Sequence, residues 1–296
     1  MKKNIQRANT LIEAIPYIKK FNSKTIVFKY GGSIGSEDFS NFARDLVLMK
    51  LVGINPVVVH GGGAEINKAL DANGIESEFF NGLRITCDKT IQIVEKVLGG
   101  KVNKEIVTEI NSNGGSSVGI SGKDGGLLKV KKIKIKRKGV DLGRVGQIVK
   151  VDSKIIIELQ ESGYIPVIAP IGCDNKGVTY NINADHAASK IASALKAEKL
   201  IVLTNVPGIS GGDGKLISSL KKKDANSLIK KGVIEKGMLP KVQCLIDALS
   251  DGVGKAHIID GRIPHAVILE TFTDSGIGTE ILLWGNFEEV EINFKK

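Results

Sequence analysis

The sequence predicts an α/β fold: a three-layer α/β/α sandwich around a mainly parallel central sheet, preceded by a kinked N-terminal helix. Three observations carry this. Apolar, β-branched runs alternate with helical stripes, beginning with Thr25-Ile26-Val27 and Val57-Val58-Val59. Such alternation implies parallel strands with helices on both faces. Glycine-rich corners follow several of these strands, and ligands of such sheets lie outside the strands' carboxyl ends. Finally, 296 residues with 42% hydrophobic content suffice for one full core.

Each element has a local reason. Ala8, Leu11, Ile12, Ile15 and Ile18 form a helical stripe over 8–21, interrupted by Pro16. Proline removes one intrahelical hydrogen bond, so a kinked helix or two short ones are expected, packed on the protein's own core or reaching a neighbouring subunit. A strand over 25–29 precedes a helix from Ser36, a capping residue, to Gly53. Next come a strand over 54–59, a helix over 64–74, and a helix from Asp88 that breaks at Gly99-Gly100 and resumes to Asn113. A strand over 117–120 leads to a basic hairpin over 127–151, a helix capped by Asp152 and ended by Gly163, and the buried strand IPVIAPI. An Ala-rich helix over 184–197 begins beside Asp185, then follow a strand over 200–204, a helix over 239–250 with Pro240 in its first turn, a strand over 256–259 and a short helix from Pro264. No Ser/Pro-rich linker divides the chain. It reads as one domain over 1–296, with an N-terminal helix over 1–21 and two lobes, about 22–180 and 181–296.

The net charge of +10 is uneven: Lys129–Lys138 (KVKKIKIKRK) holds seven basic residues and no acid. Its middle alternates like a half-exposed strand, and no aromatic residues interleave to stack bases, so a solvated hairpin face is favoured over a nucleic-acid strip. Cys87, Cys173 and Cys244 are an odd number, widely spaced and without CxxC, against a disulfide framework or a zinc site. A reducing, cytoplasmic setting fits. The basic N-terminus lacks an apolar signal core, and no stretch is long enough to span a bilayer.

Five places could carry chemistry. Lys29, with Gly31 and Gly32 just beyond, offers a cation and bare backbone to a phosphate; an ordinary strand-end turn is the plainer reading. His60-Gly61-Gly62-Gly63 is a second anion-cradling turn or a flexible loop; it is not GxGxxG, which disfavours a dinucleotide fold. Arg84 in NGLRIT can grip a carboxylate with two donors, or lie on the surface. Asn181, Asn183 and Asp185 can orient a ligand or a lysine, while Asn183 can equally cap a helix. Lys241 lies on a first helical turn, where it favours an anion, or is simply solvated. Together they describe phosphoryl transfer without GxxxxGK[ST] and without the HRD and DFG signatures of protein kinases.

The run of KYGGS, VVVHGGG, NGLRIT, NINADHAA, TNVPGI, GMLPKV and FTDSGIGTEI spans nearly the whole chain. In it the sequence resembles the amino-acid kinase family, and within that the members acting on N-acetyl-L-glutamate. NGLRIT followed by NINAD is specific to that branch; carbamate, aspartate and uridylate kinases would share only the first glycine turns. The resemblance implies transfer of a phosphoryl group from ATP to the substrate's side-chain carboxylate, giving N-acetylglutamyl 5-phosphate in arginine biosynthesis. By the same resemblance Lys29 and Lys241 neutralise the transferring group and Asp185 orients both. Gly32 and Gly62 donate backbone N–H groups. Arg84 holds the α-carboxylate, with Asn181 and the Gly61-Gly62 turn also touching substrate. Gly31, Asn205, Val206, Pro207, Gly208, Ile209, Ser210 and the region 233–238 surround ATP, which brings Mg²⁺ held mainly by phosphates and water; no protein metal ligand is named. Two positions depart from the family pattern: Asn205, where aspartate is commoner, and Glu235-Lys236, where small residues are.

A substrate carboxylate with a pKa of about 4 is already ionised, so no general base is needed among His60, His186, His257 and His265. The N-terminal segment resembles that of arginine-inhibited members, in which it links dimers into a hexameric ring. That implies an arginine site near Tyr17, His265, Glu270 and Gly276. The competing readings are a sister kinase acting on another carboxylate or carbamate, a non-catalytic arginine or nucleotide sensor, and a nucleic-acid binder using Lys129–Lys138.

Overall fold

The structure, a computed structural model, describes residues 1–31, 36–135, 139–234 and 237–283. The expectations for Gly32, for a Ser36 side-chain cap, for the end of the basic run and for Glu235-Lys236 fall outside the described residues and side chains. Helices α1 (Lys2–Glu13) and α2 (Ile15–Phe21) precede β1 (Thr25–Tyr30). Helix α3 (Ser36–Leu51) leads to β2 (Asn55–His60), and α4 (Gly63–Asp71) to a hairpin of β3 (Phe79–Phe80) and β4 (Leu83–Arg84). Helix α5 (Asp88–Glu95) runs through a π-helical stretch, Lys96–Val102, into α6 (Asn103–Ser112). Then come β5 (Ser117–Ser121), β6 (Leu128–Lys132), β7 (Gly146–Val151), α7 (Lys154–Glu161), β8 (Ile165–Ala169), β9 (Ile171–Cys173) and β10 (Thr179–Asn181). The second half holds α8 (Ala184–Ala194), β11 (Lys199–Thr204), β12 (Ser219–Lys221), α9 (Lys222–Lys230), α10 (Met238–Ser250), β13 (Lys255–Asp260), α11 (Ala266–Thr271) and β14 (Thr279–Leu282).

Among the described residues, eight strands form one sheet in the order β12-β14-β13-β11-β1-β2-β8-β5. The six from β13 to β5 run parallel; β14 is antiparallel to β13, and β12 runs with β14. Strand period decides which helix layer each side chain meets. Val27, Val57, Val59 and Val202 face α8 and α10, packing with Ala188, Ile191, Val242 and Leu245. Ile26, Phe28, Val58 and Ile201 face the other way, onto Phe42, Leu46 and Met49 of α3 and Ile106 and Ile110 of α6. A third cluster joins α4, α5 and the π-helical stretch through Ile66, Leu70, Ile91, Val94 and Leu98. By the same period Lys29 lies on the α8 side and His60 on the α6 side.

A four-stranded sheet, β10-β9-β6-β7, carries the basic hairpin, with β6 and β7 antiparallel. Lys129, Lys131, Lys132 and Lys134 are exposed while Leu128 and Val130 are buried, a solvated face over an apolar one. Among the described residues no helix is long and apolar enough to cross a membrane.

Several boundaries differ from expectation for physical reasons. The N-terminal helix bends by 28°, but the break falls at Ala14. Pro16 then sits at the start of α2, where its missing N–H has no intrahelical partner to lose. Leu11 and Ile12 stay 74% and 62% exposed, so the stripe of α1 is not covered by the protein's own core. Gly99-Gly100 do not break their helix; the π-helical turn absorbs them and continues into α6. Asp152 is not the capping residue itself: Ser153 holds that position, and Asp152 Oδ1 accepts weakly from Lys154 N–H at 3.4 Å. Gly53 ends α3 as expected, at φ +89°, with Ile54 N–H donating to Met49 O and Gly53 N–H to Lys50 O. Strands β3, β4, β12 and β14 have four residues or fewer, too short for periodicity to register.

Candidate active site

The carboxyl ends of β1, β2 and β11 and the N-termini of α4, α8 and α10 meet at one edge of the main sheet. Asn183 caps α8, its Oδ1 accepting from the N–H groups of Asp185 and His186 at 2.9 and 3.1 Å. That cap fixes Asp185 in the first turn, over the face of β1 that carries Lys29. Lys29 Nζ lies 2.9 Å from Asp185 Oδ1. Lys241, from the first turns of α10, donates to Asp185 Oδ2 at 2.8 Å. The Lys29 and Asp185 side chains are 8% and 9% exposed and that of Lys241 is 21%, so two charges are buried and the third faces the mouth. Burial pushes the Asp185 pKa up, but the charges of Lys29 and Lys241 outweigh it and hold it below the ordinary carboxylate range. Burial pulls Lys29 below the ordinary lysine value, against the Asp185 charge, and the neighbouring Lys241 adds to that pull. The Asp185 carboxylate is ionised, with Oδ2 hydrogen-bonded to Lys241 and Oδ1 in ion-pair contact with Lys29.

Next to this bridge lies a cavity of about 170 Å³. Gly61, Gly62, Arg84 and Asn181, the four residues assigned to substrate from sequence, all line it. Arg84 is buried, its Nη2 donating to Asn67 Oδ1 at 2.7 Å and Nη1 to Ser77 Oγ at 2.5 Å, with its guanidinium 4.6 Å from the Phe79 ring centroid. Burial lowers its pKa while the Asp71 charge raises it; the guanidinium stays protonated at neutral pH. Asn181 Nδ2 donates to Thr86 Oγ1 at 3.3 Å, tying the NGLRIT and NINAD segments together. The remaining wall is largely apolar, from Ile66, Phe79, Leu83, Leu98, Val145 and Ile182. One end of the cavity therefore offers a guanidinium and backbone donors, and the rest takes hydrocarbon.

The segment assigned to nucleotide splits. Asn205, Val206, Pro207 and Ser210 are exposed just past β11. Gly208 and Ile209 are buried; the Ile209 side chain joins the core and its N–H donates to Thr279 Oγ1 at 2.9 Å. Gly31 is buried with Leu203 O only 3.1 Å from where a Cβ would sit, so a side chain there would press on β11.

The residues assigned to arginine lie on and around α11. Tyr17 donates to Asp274 Oδ1, and burial, with Asp274 adding to it, pushes the phenol up to about 12. Glu270 is paired with His257 Nδ1 at 2.6 Å and accepts from Ile277 N–H at 2.7 Å. Gly276 leaves room for that carboxylate, which would lie 2.8 Å from a Cβ. His265 Nδ1 sits 2.7 Å from Asp45 Oδ1. Glu270 and Gly276 are brought together, and His265 is committed to α3. Sequence reading missed Lys199, buried 4.9 Å from the Phe21 ring; a lysine opening a strand carries no local signal. It also missed Asn67 and Ser77, whose grip on Arg84 depends on β3 and β4 folding back.

The family model for the amino acid kinase family matches residues 24–260. The acetylglutamate kinase of Geotalea uraniireducens is 54% identical over 291 residues, covering 95% of this chain and all of that one. That of Heliobacterium modesticaldum is 53% identical over 294 residues, with 95% and 100% coverage. Among solved structures, N-acetylglutamate synthase from Neisseria gonorrhoeae complexed with coenzyme A and N-acetyl-glutamate is 26% identical at a TM-score of 0.85, covering 94% of this chain and 64% of that longer one. The same synthase complexed with coenzyme A and L-arginine is 26% identical at a TM-score of 0.81, covering 93% and 65%.

Proposed function

The chain belongs to the amino acid kinase family, and from that membership we infer that it phosphorylates N-acetylglutamate with ATP, a step of arginine biosynthesis. The observation that carries the reading is the Lys29–Asp185–Lys241 bridge beside a cavity lined by Gly61, Gly62, Arg84 and Asn181. Phosphoryl transfer to a carboxylate needs no proton removed, because the nucleophile is already an anion. The difficulty is bringing that anion to a polyanion, so alignment and positive charge do the work. Lys29 and Lys241 supply the charge; at about 4 Å and an effective dielectric near 20, one ammonium is worth roughly 4 kcal/mol as an upper scale. Only the part gained in the transition state raises the rate. Asp185 is not needed as a base, since the acceptor carboxylate has no proton to lose; it holds the two lysines to one point.

Residues of about 22–180 then bind the acceptor and those of about 181–296 the nucleotide. Arg84 takes the α-carboxylate with Asn181 beside it, and the apolar wall takes the acetyl group. Gly31, Gly32 and the exposed residues Asn205, Val206 and Pro207 border ATP. The nucleotide arrives as its Mg²⁺ complex, with the ion held by phosphate oxygens and water. The work belongs to the cytoplasm.

The uncovered stripe of α1 supports a homo-oligomer in which this helix meets its counterpart on another dimer, giving a trimer of dimers. The Tyr17–Asp274 contact ties α2, which follows α1 directly, to the Glu270–Gly276 region, which supports feedback inhibition by arginine there.

A coupled ADP-release assay with N-acetylglutamate, glutamate, aspartate and carbamate, with and without arginine, tests both statements. Turnover should appear with N-acetylglutamate and fall on adding arginine. Preference for another acceptor would favour the sister-kinase reading, and turnover unaffected by arginine would remove the inhibition.

A further inference from the structure

His60 is fully buried beneath the Gly61-Gly62-Gly63 turn and touches no substrate cavity. Its Nδ1 lies 2.8 Å from Gly61 O. A carbonyl only accepts, so Nδ1 carries the hydrogen. Its Nε2 lies 3.2 Å from Asn103 Nδ2, which only donates. Asn103 cannot be turned around, because the same nitrogen donates to Val167 O at 2.9 Å while its Oδ1 accepts from Lys104 Nζ at 3.2 Å. Both ends of the ring therefore select the neutral Nδ1–H tautomer. Burial, with Lys104 nearby, pulls the His60 pKa down to about 4 against the Gly61 hydrogen bond, so the ring is uncharged at neutral pH.

The peptide joining Gly61 and Gly62 is trans. In a trans peptide the C=O and the following N–H point in opposite directions. Drawing Gly61 O onto His60 thus turns the Gly62 N–H the other way, toward the cavity side. Gly61's own N–H is taken by Tyr30 O at 2.9 Å; among the described residues nothing accepts from the Gly62 N–H. The π-helical turn supports the same peptide twice. It delivers Asn103, the first residue of α6, to His60, and it presses Leu98 to within 2.6 Å of where a Gly62 Cβ would be.

We infer that His60, fixed in its Nδ1–H tautomer by Asn103, is a positioning residue that aims the Gly62 amide at the transferring phosphoryl group. This rests on the phosphoryl-transfer reading above. His60 makes no contact with the reacting atoms and moves no proton.

The tautomer can be read directly by ¹⁵N-histidine NMR of the full-length protein without ligand, with the His60 signals assigned by their loss in His60→Asn. The inference requires a protonated Nδ1 and a bare Nε2. An Nε2–H pattern would overturn it. For turnover, His60→Leu fills the space without a donor, while His60→Asn can place a side-chain N–H where Nδ1–H was. His60→Leu should lower kcat about 10- to 10²-fold with little change in KM for N-acetylglutamate, and His60→Asn should recover to within about threefold of wild type. Equal losses in both variants, or wild-type kcat in His60→Leu, would refute the aiming role. Failure of the wild type to phosphorylate any carboxylate or carbamate acceptor would sink the functional reading and this inference with it, whereas an Nε2–H pattern in an active enzyme would sink this inference alone.

Discussion

Asp185 gives one oxygen to each of two lysines drawn from β1 and α10, so the three side chains act as a unit. Lys29→Met or Lys241→Met should lower kcat by about 10²- to 10³-fold, read in the coupled assay; near-wild-type turnover in either would remove that lysine from the mechanism. Asp185→Ala leaves a buried, unpaired ammonium and should lower stability by about 3 kcal/mol, read by urea unfolding; an unchanged midpoint would mean the bridge is not held. Because the Asp185 carboxyl lies below its ordinary pKa, its contribution is present above the carboxylate range and is lost as pH falls through it.

The charged form of Lys199 costs stability instead of adding it. Burial, only partly offset by Glu270, brings its pKa from 10.5 to about 8. Between those values the unfolded chain holds a proton that the folded protein has released, so stability should rise with pH from 8 to 10.5. Lys199→Met should remove that rise and stabilise the neutral-pH protein by up to about 3 kcal/mol. Urea midpoints at pH 7 and 9.5 decide it, and an unchanged pH slope would show that Lys199 stays charged. Lys29, Asp185 and Lys241 were legible in the sequence because each sits by a strand end or a helix start, and Arg84 because it stands in the NGLRIT segment. His60 with Asn103, and Arg84 with Asn67 and Ser77, were not, because only sheet register and a small hairpin bring those partners together.

Helix α1 and the π-helical turn are the elements whose roles separate most cleanly. The described side chains of helix α1 are all exposed, whereas Phe21 of α2 is buried under the sheet. Removing residues 1–13 should therefore leave turnover and melting temperature unchanged and reduce the assembly from hexamer to dimer. Light scattering after size exclusion measures this, and a truncated hexamer would end the proposed role of α1. Deleting Gly100 should restore α-helical register, turning Asn103 by about 100° away from His60. It should lower both kcat and the melting temperature; a deletion variant with wild-type behaviour would make the wide turn incidental. The long helices and buried strands were readable because their patterns repeat over many residues. The π-turn was not, because its two glycines look the same in a helix break and in a widened helix.

At the scale of the molecule, the two proposed lobes contribute four strands each to one sheet, joined where β1 pairs with β11 from Ile26↔Lys199 to Lys29↔Val202. The parallel core of that sheet followed from the alternating sequence. Its reversed edge, β14 and β12, did not, since strands of four and three residues are specified by what they lie against. Calorimetry should show one unfolding transition, shifted upward by an ATP analogue and N-acetylglutamate together. Two separable transitions would mean that the halves fold independently.

The β1–β11 seam also restricts how the cleft can breathe. A book-like swing would have to shear a ladder of backbone hydrogen bonds through the centre of the protein. Widening for product escape is thus left to outlying parts such as the β6–β7 arm and the strip beyond β11. A covalent staple across the hairpin arm should slow escape of ADP while sparing the chemical step.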